Sequence, residues 1–416
     1  MGPQTSATSR AAWVVVAMLW VVALLNYLDR NIVTAMGEPV KAAFTLGDAQ
    51  FGLVSSTFMW VYGACSLFAG YAADRFGRRP VIFASLAVWS AATFATGSVL
   101  SFEGMLAARA IMGVSEAFYM PAAVALIAEY HRGSTRSRAT ALHLSGTHAG
   151  AICGGLGGLV ADEVGWRAAF HIFGAIGVGY ALVLVALLPR PPEGSTGAET
   201  PRAAAPVPAG GASSGLAARG FLLLLVMSAF DGAALWTLRN WLPEFFRTEL
   251  GVASRWAGLL GTSAFSAAAF AGMVVASSLS DRWSRTRPRA RTLIPGAWYV
   301  AAAVAFVVLG ATASVPVLVG CVLVAGSARG SLDANLMPAV CTQVSWKYWA
   351  TGYGLLNFAG TTAGGAMTFA GGWLKDQNVP LSATFQMAGG FVLVAGVCLL
   401  VVRPVAAPHR PNAGAP

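Results

Sequence analysis

Gly70-Tyr71-Ala72-Ala73-Asp74-Arg75-Phe76-Gly77-Arg78-Arg79 separates two long apolar stretches, 48–73 and 80–100. A degraded copy, Ser277-Ser278-Leu279-Ser280-Asp281-Arg282-Trp283-Ser284-Arg285, closes the apolar stretch 253–280. The two Asp-Arg pairs lie 207 residues apart. Met120-Pro121 recurs as Met337-Pro338 after 217 residues. Gly146-Thr147-His148-Ala149-Gly150 recurs as Gly360-Thr361-Thr362-Ala363-Gly364 after 214. Offsets this similar mark two homologous halves, repeated in parallel.

The rest of the chain fits that reading. Of its 416 residues 56% are hydrophobic and 11% charged, and mean hydropathy is +0.64. An average soluble domain is about 25% charged. These values exclude a disordered chain and disfavour a soluble enzyme. A bilayer crossing takes about 20 apolar residues. Twelve stretches qualify: 12–37, 48–73, 80–100, 103–129, 138–161, 166–188, 217–246, 253–280, 291–313, 315–343, 349–374 and 380–402. We number them spans 1 to 12. The first is too long for a signal-peptide core and is read as a membrane helix. The 48 glycines suit closely packed membrane helices. The sequence thus predicts an all-α membrane protein, with twelve transmembrane helices in two pseudo-symmetric six-helix bundles, 1–188 and 217–403. A Pro-, Ala-, Gly- and Ser-rich linker, 189–216, joins them, and 404–416 is a tail.

Charge sets the orientation. Of 27 Lys and Arg, 18 fall on the side of the amino terminus and five on the other. Cytoplasmic loops carry such an excess, so both termini are expected in the cytoplasm, in a bacterial inner membrane. The net charge of +10 then reflects loops beside a lipid bilayer, not nucleic acid. The five cysteines lie in apolar stretches without metal or redox spacing and read as packing residues.

Four Lys or Arg lie within spans away from the span ends: Arg30, Arg109, Arg239 and Arg329. Ionisable groups in the bilayer are costly, so they mark function or find a partner. Span 1 carries Asn26-Tyr27-Leu28-Asp29-Arg30. Span 4 carries Arg109 and Glu116, two helical turns apart on one face, with Gly113 between them for close helix approach. Asp29, Arg30, Arg109 and Glu116 therefore form one expected cluster, neutral with both acids ionised and +1 with one protonated. An anion on Arg30 competes with the acids for positive charge, so protonation and anion binding are coupled. Arg109 is expected to tune Glu116.

The quoted segment between spans 2 and 3 resembles the signature loop of the major facilitator superfamily. That resemblance implies a cytoplasmic gate, latched in the outward-facing state, at Gly70, Asp74, Arg75, Gly77, Arg78, Asp281 and Arg282. Asn-Tyr-x-Asp-Arg in span 1, Arg-x-x-x-Gly-x-x-Glu-Ala in span 4, Trp241-Leu242-Pro243 in span 7 and Asn357-Phe358-Ala359-Gly360 in span 11 look like the anion:cation symporter family. That family includes bacterial sugar-acid permeases and vesicular glutamate and sialic acid carriers. It implies proton handling at Asp29 and Glu116, and substrate near Tyr27, Arg30 and Asn357. Tyr-Leu-Asp-Arg with Glu116-Ala117-Phe118-Tyr119 and Arg136-Ser137-Arg138 also resembles the Spinster family, which moves lysolipids or sphingoid phosphates. The glycines of span 5 resemble drug/proton antiporters, but the proline expected there is absent from Gly150-Ala151-Ile152-Cys153.

The second half adds Trp236, Arg239 and Asn240 in span 7 and Asp333 in span 10 as candidate substrate contacts. Asp333 sits at the repeat position of Glu116, and Arg329 four residues earlier makes a self-contained ion pair equally compatible. Span 5 adds His148. No phosphate-binding loop, metal cluster or nucleophile constellation stands out. The expected function is secondary transport of a small organic anion by a monomer, with no cofactor, driven by protons. Sodium coupling and export remain open, as do the Spinster-like and antiporter alternatives.

Overall fold

The computed structural model describes residues 4–131, 135–189, 219–284, 286–287, 289–344 and 348–403. The proposed linker (from residue 190) and tail lie outside them. The described residues are helical with no strand. Span 1 is α1 (Gln4–Ala35), and a short α2 (Gly37–Phe44) follows. Span 2 is α3 (Asp48–Ser66) with α4 (Ala69–Phe76), and span 3 is α5 (Arg78–Thr96). Span 4 is α6 (Phe102–Tyr130), span 5 is α7 (Arg136–Gly154) with α8 (Gly157–Val164), and span 6 is α9 (Trp166–Leu187). Span 7 is α10 (Arg219–Thr248). Span 8 is α11 (Ser254–Gly258), a π-turn (Leu259–Ser263) and α12 (Ala264–Ser284). Spans 9 to 12 are α13 (Ala290–Leu309), α14 (Val315–Cys341), α15 (Trp349–Asp376) and α16 (Leu381–Val401).

Eight of these are each long and apolar enough to cross a membrane, and the bent pair α3–α4 makes a ninth. The remaining three are α5, α7 and α15. Arg78 and Arg79 open α5, while α7 and α15 are diluted by Gly, Ser, Thr and His. Several of those glycines pack against other helices, among them Gly146 and Gly150 of α7 and Gly364 and Gly372 of α15. Span 2 differs from the sequence expectation in two ways. It bends by 57° at Leu67-Phe68. Most of the quoted segment is helical, and the turn into α5 is Gly77 alone, at φ 86°. Gly165 makes the same turn between α8 and α9 at φ 82°. Both positions need glycine, because a β-carbon disfavours that conformation.

The repeat appears as packing. Span 5 lies on span 1: Gly146 meets the Trp20 carbonyl and Gly150 the Leu24 carbonyl. Span 11 lies on span 7 in the same way: Gly232 meets the Gly360 carbonyl, and Gly364 meets the Trp236 ring. Backbones this close leave no room for a β-carbon. Gly232→Ala forces overlap with the Gly360 carbonyl and should destabilise the protein by about 1–3 kcal/mol. Thermal unfolding in detergent reads this as a lowered Tm. Gly390→Ala on α16, where nothing lies within 4 Å, should leave Tm unchanged.

The two halves meet along α3 and α15. Ser56 donates to the Gly365 carbonyl at 2.6 Å, and the Trp60 indole donates to the Thr362 carbonyl at 3.2 Å. A second contact joins the π-turn to span 5, where Ser263 donates to the Ile152 carbonyl at 2.6 Å. These two seams leave a space between the halves, bounded by α1, α3, α6 and α10.

Candidate functional site

That space is a cavity lined by Arg30, Asn31 and Thr34 of α1, Ser55, Phe58 and Met59 of α3, Arg109 of α6, and Trp236, Arg239 and Asn240 of α10. Three guanidinium groups thus share one pocket inside an apolar bundle.

Each guanidinium is held differently. Arg30 donates twice to one Glu116 oxygen, at 3.2 Å from Nε and 2.8 Å from Nη2. Both side chains are buried. Its cationic carbon sits 4.6–4.8 Å from the ring centres of Tyr27, Phe58 and Tyr62. Cation–π attraction of this kind strengthens when desolvated. Arg109 is buried and donates to the Arg30 carbonyl at 3.5 Å, with its carbon 5.1 Å from the Phe58 ring. It has no direct hydrogen bond to Glu116: spacing along α6 placed the two on one face, but Arg30 from α1 takes the carboxylate. Arg239 donates to the Asn31 amide oxygen at 3.0 Å, crossing from one half to the other. Its carbon lies 5.2 Å from the Trp236 ring and 5.6 Å from the Phe265 ring.

Several polar groups on this cavity are unsatisfied. Both amide atoms of Asn240 are buried without a hydrogen-bond partner, as are Ser55 Oγ and the Nε atoms of Arg109 and Arg239. Buried polar atoms are normally paired. Asp29 lies outside the cavity wall, fully buried beside Trp89 and Thr93 of α5, and neither carboxylate oxygen accepts a well-formed hydrogen bond.

The other candidates sit apart from this pocket. Asn357 donates to Ser66 Oγ at 3.3 Å along the α3–α15 seam. The His148 ring is 5.8 Å from the Phe270 ring. Asp333 accepts from Arg329 at 2.6 Å, and Arg329 also donates to Asp231 at 2.5 Å. The Tyr299 hydroxyl closes this second cluster on Asp231. One guanidinium therefore bridges two carboxylates across spans 7 and 10.

The two ends of the bundle differ. At the end holding the described termini, the ionic contacts among the described residues stay within each half. Arg78 pairs with Glu129 and, at 3.8 Å, with Asp74. Arg291 pairs with Asp281 at 2.8 Å. Arg75 and Arg282 are exposed. At the opposite, distal end one network ties the halves together. Glu244 accepts from Lys41 and Lys375, both at 2.7 Å, and from Arg247 at 2.9 Å. Lys41 and Lys375 also reach Asp48, at 2.8 and 3.1 Å. Asp376 accepts the backbone amides of Asp48 and Ala49 at 2.8 and 2.9 Å, capping α3 from the other half. Burial alone would lower the affinity of the Lys41 ammonium for its proton, but Glu244 and Asp48 more than offset this and raise it. The lysine therefore keeps its charge through the physiological range. In sequence, Lys41 and Lys375 are two of the five basic residues on the far side, and nothing there ties them to Glu244.

Comparison with known proteins follows the same lines. The chain matches the Major Facilitator Superfamily over residues 19–312 and 224–416. It is 30% identical over 285 residues to an MFS-type efflux pump of Mycolicibacterium smegmatis, covering 67% of this chain and 65% of that protein. It is 24% identical over 292 residues to a D-galactonate transporter of Escherichia coli, covering 65% and 67%. The matches thus span about two thirds of these relatives' lengths. The crystal structure of a bacterial homologue of the human lysosomal transporter Spinster, inward-facing and occupied, superposes with a TM-score of 0.73. It shares 20% identity, and the superposition covers 97% of this chain and 96% of that one. The family match and the shared helical fold agree, and this multi-pass membrane protein belongs to the Major Facilitator Superfamily.

Proposed function

We propose that this transporter carries a small organic anion together with a proton, by alternating access. The observation that supports this most is the arginine-lined cavity. Arg30, Arg109 and Arg239 face it, and among the described residues Glu116 is the one carboxylate bound to any of them. A carboxylate substrate balances that excess. Protonation of Glu116 frees Arg30 and so favours the anion, which is the linkage that symport needs. Asp29, buried next to Arg30, is the second proton carrier in this reading. Trp236, Asn240 and Tyr27 shape the pocket, and Asp333, His148 and Asn357 border the path beyond it.

Residues 1–188 and 217–403 are the two rocking bodies, and both chain termini face the cytoplasm of a bacterial cell. The distal network then closes the outer side, so the state described here faces inward. Opening outward breaks the Glu244 contacts and brings Asp74, Arg75 and Arg78 toward Asp281 and Arg282, with Gly70 and Gly77 giving the segment its close fit.

A second reading, movement of an amphipathic lipid or drug, draws on the efflux-pump relative and on the Spinster-like motifs. Uptake into proteoliposomes separates the two. Labelled D-galactonate, a neutral hexose and a lysolipid would each be offered with and without an inward proton gradient. Gradient-driven entry of the anion alone supports the proposal. Movement of lysolipid without the anion would replace it.

A further inference from the structure

The Asn31–Arg239 hydrogen bond has an unusual position. It spans the two halves, lies on the cavity, and joins a neutral amide to a guanidinium that has no carboxylate partner among the described residues. A charged acceptor bonds a guanidinium about twice as strongly as a neutral one. Arg239 is therefore underused: Nη2 holds Asn31, and Nε holds nothing. Next to it, Asn240 is 5% exposed and leaves both its amide atoms unpaired toward the same space. Arg30 differs, because Glu116 already occupies its Nε and Nη2. The pocket thus offers one guanidinium held by a carboxylate and one held by a neutral amide.

We propose that Asn31 is a placeholder for the substrate's carboxylate. Its amide oxygen occupies the place on Arg239 that the anion takes, and the arriving anion displaces it. The displaced link is one of the contacts between halves inside the cavity. Its replacement by a ligand that touches both halves makes closure depend on the anion being present. Asn240, freed of any internal partner, completes the subsite by donating to and accepting from the bound molecule. This inference rests on the anion reading above and adds how the site senses its ligand.

The test compares two changes at one position. Binding of D-galactonate to purified protein is followed by intrinsic fluorescence, since Trp236 lies against Arg239. Asn31→Ala removes the competitor and should tighten binding about three- to tenfold, the range of one net hydrogen bond. Asn31→Asp installs a permanent carboxylate on Arg239 and should weaken binding by at least about thirtyfold, as a charge-assisted competitor would. Opposite signs are the expected result. If Asn31→Ala weakens binding or leaves it unchanged while the wild type binds, the placeholder idea fails and the anion reading survives. If the wild type binds no anion from a panel of sugar acids and simple carboxylates, both fall together. Tm is measured for each variant, and an Asn31→Ser variant, which keeps a smaller acceptor, should lie between the wild type and Asn31→Ala.

Discussion

Glu116→Gln should abolish concentrative uptake while leaving anion exchange intact. The amide keeps an acceptor for Arg30 but carries no exchangeable proton, so the variant is fixed as a mimic of the neutral acid. Under an inward gradient of one pH unit, one coupled proton supports about tenfold accumulation. The variant should equilibrate the labelled anion to a ratio near one and go no further. Counterflow, with unlabelled anion trapped inside, should persist at a comparable rate, because the Arg30 guanidinium stays available. Loss of both activities would make Glu116 a structural partner of Arg30. Retention of accumulation would move the proton elsewhere, to Asp29 first.

Glu244→Gln should shift the protein toward the state open at the distal end. Glu244 gathers three cations, Lys41, Lys375 and Arg247, from α2, α15 and its own helix. Its side chain is 8% exposed, so solvent screens these contacts little. Removing one member of a buried ionic set strands its partners. Taking a loss of about 2 kcal/mol for this partly wet network, the equilibrium moves about thirtyfold. Spin labels at Thr45 and Gln377, exposed positions on opposite sides of the distal seam, would report it. The wild type should give one short distance, and the variant should add a longer population. Adding Lys41→Met to Glu244→Gln should move the distribution little further, because the two residues act in one network.

Much of this was legible before any coordinates. The spans, their number and their two-fold repeat follow from hydropathy and from three recurring motifs. The cluster of Asp29, Arg30, Arg109 and Glu116 was legible because charges in apolar runs are few and must find one another. Pairing inside the cluster was not. Helical spacing links Arg109 to Glu116, but crossing angles and the glycine contact of Gly113 with α3 decide which guanidinium reaches the carboxylate. The distal network was hidden for another reason. Lys41, Asp48, Glu244 and Lys375 each sit at the mouth of a span, where single charges are ordinary, and only the fold brings such distant positions together. Asp231 shows the same limit. It reads as one polar residue of span 7, and its partners Tyr299 and Arg329 come from spans 9 and 10.

The central claim is that anion and proton move together. Wild-type protein in liposomes loaded with a pH-sensitive dye tests it directly. With equal pH on both sides and the membrane potential clamped, D-galactonate or another anion identified by the uptake panel is added outside. The account predicts that the lumen acidifies as the anion enters, at a rate that rises with anion concentration and vanishes in Glu116→Gln. Entry of the labelled anion with no change in lumenal pH would contradict it.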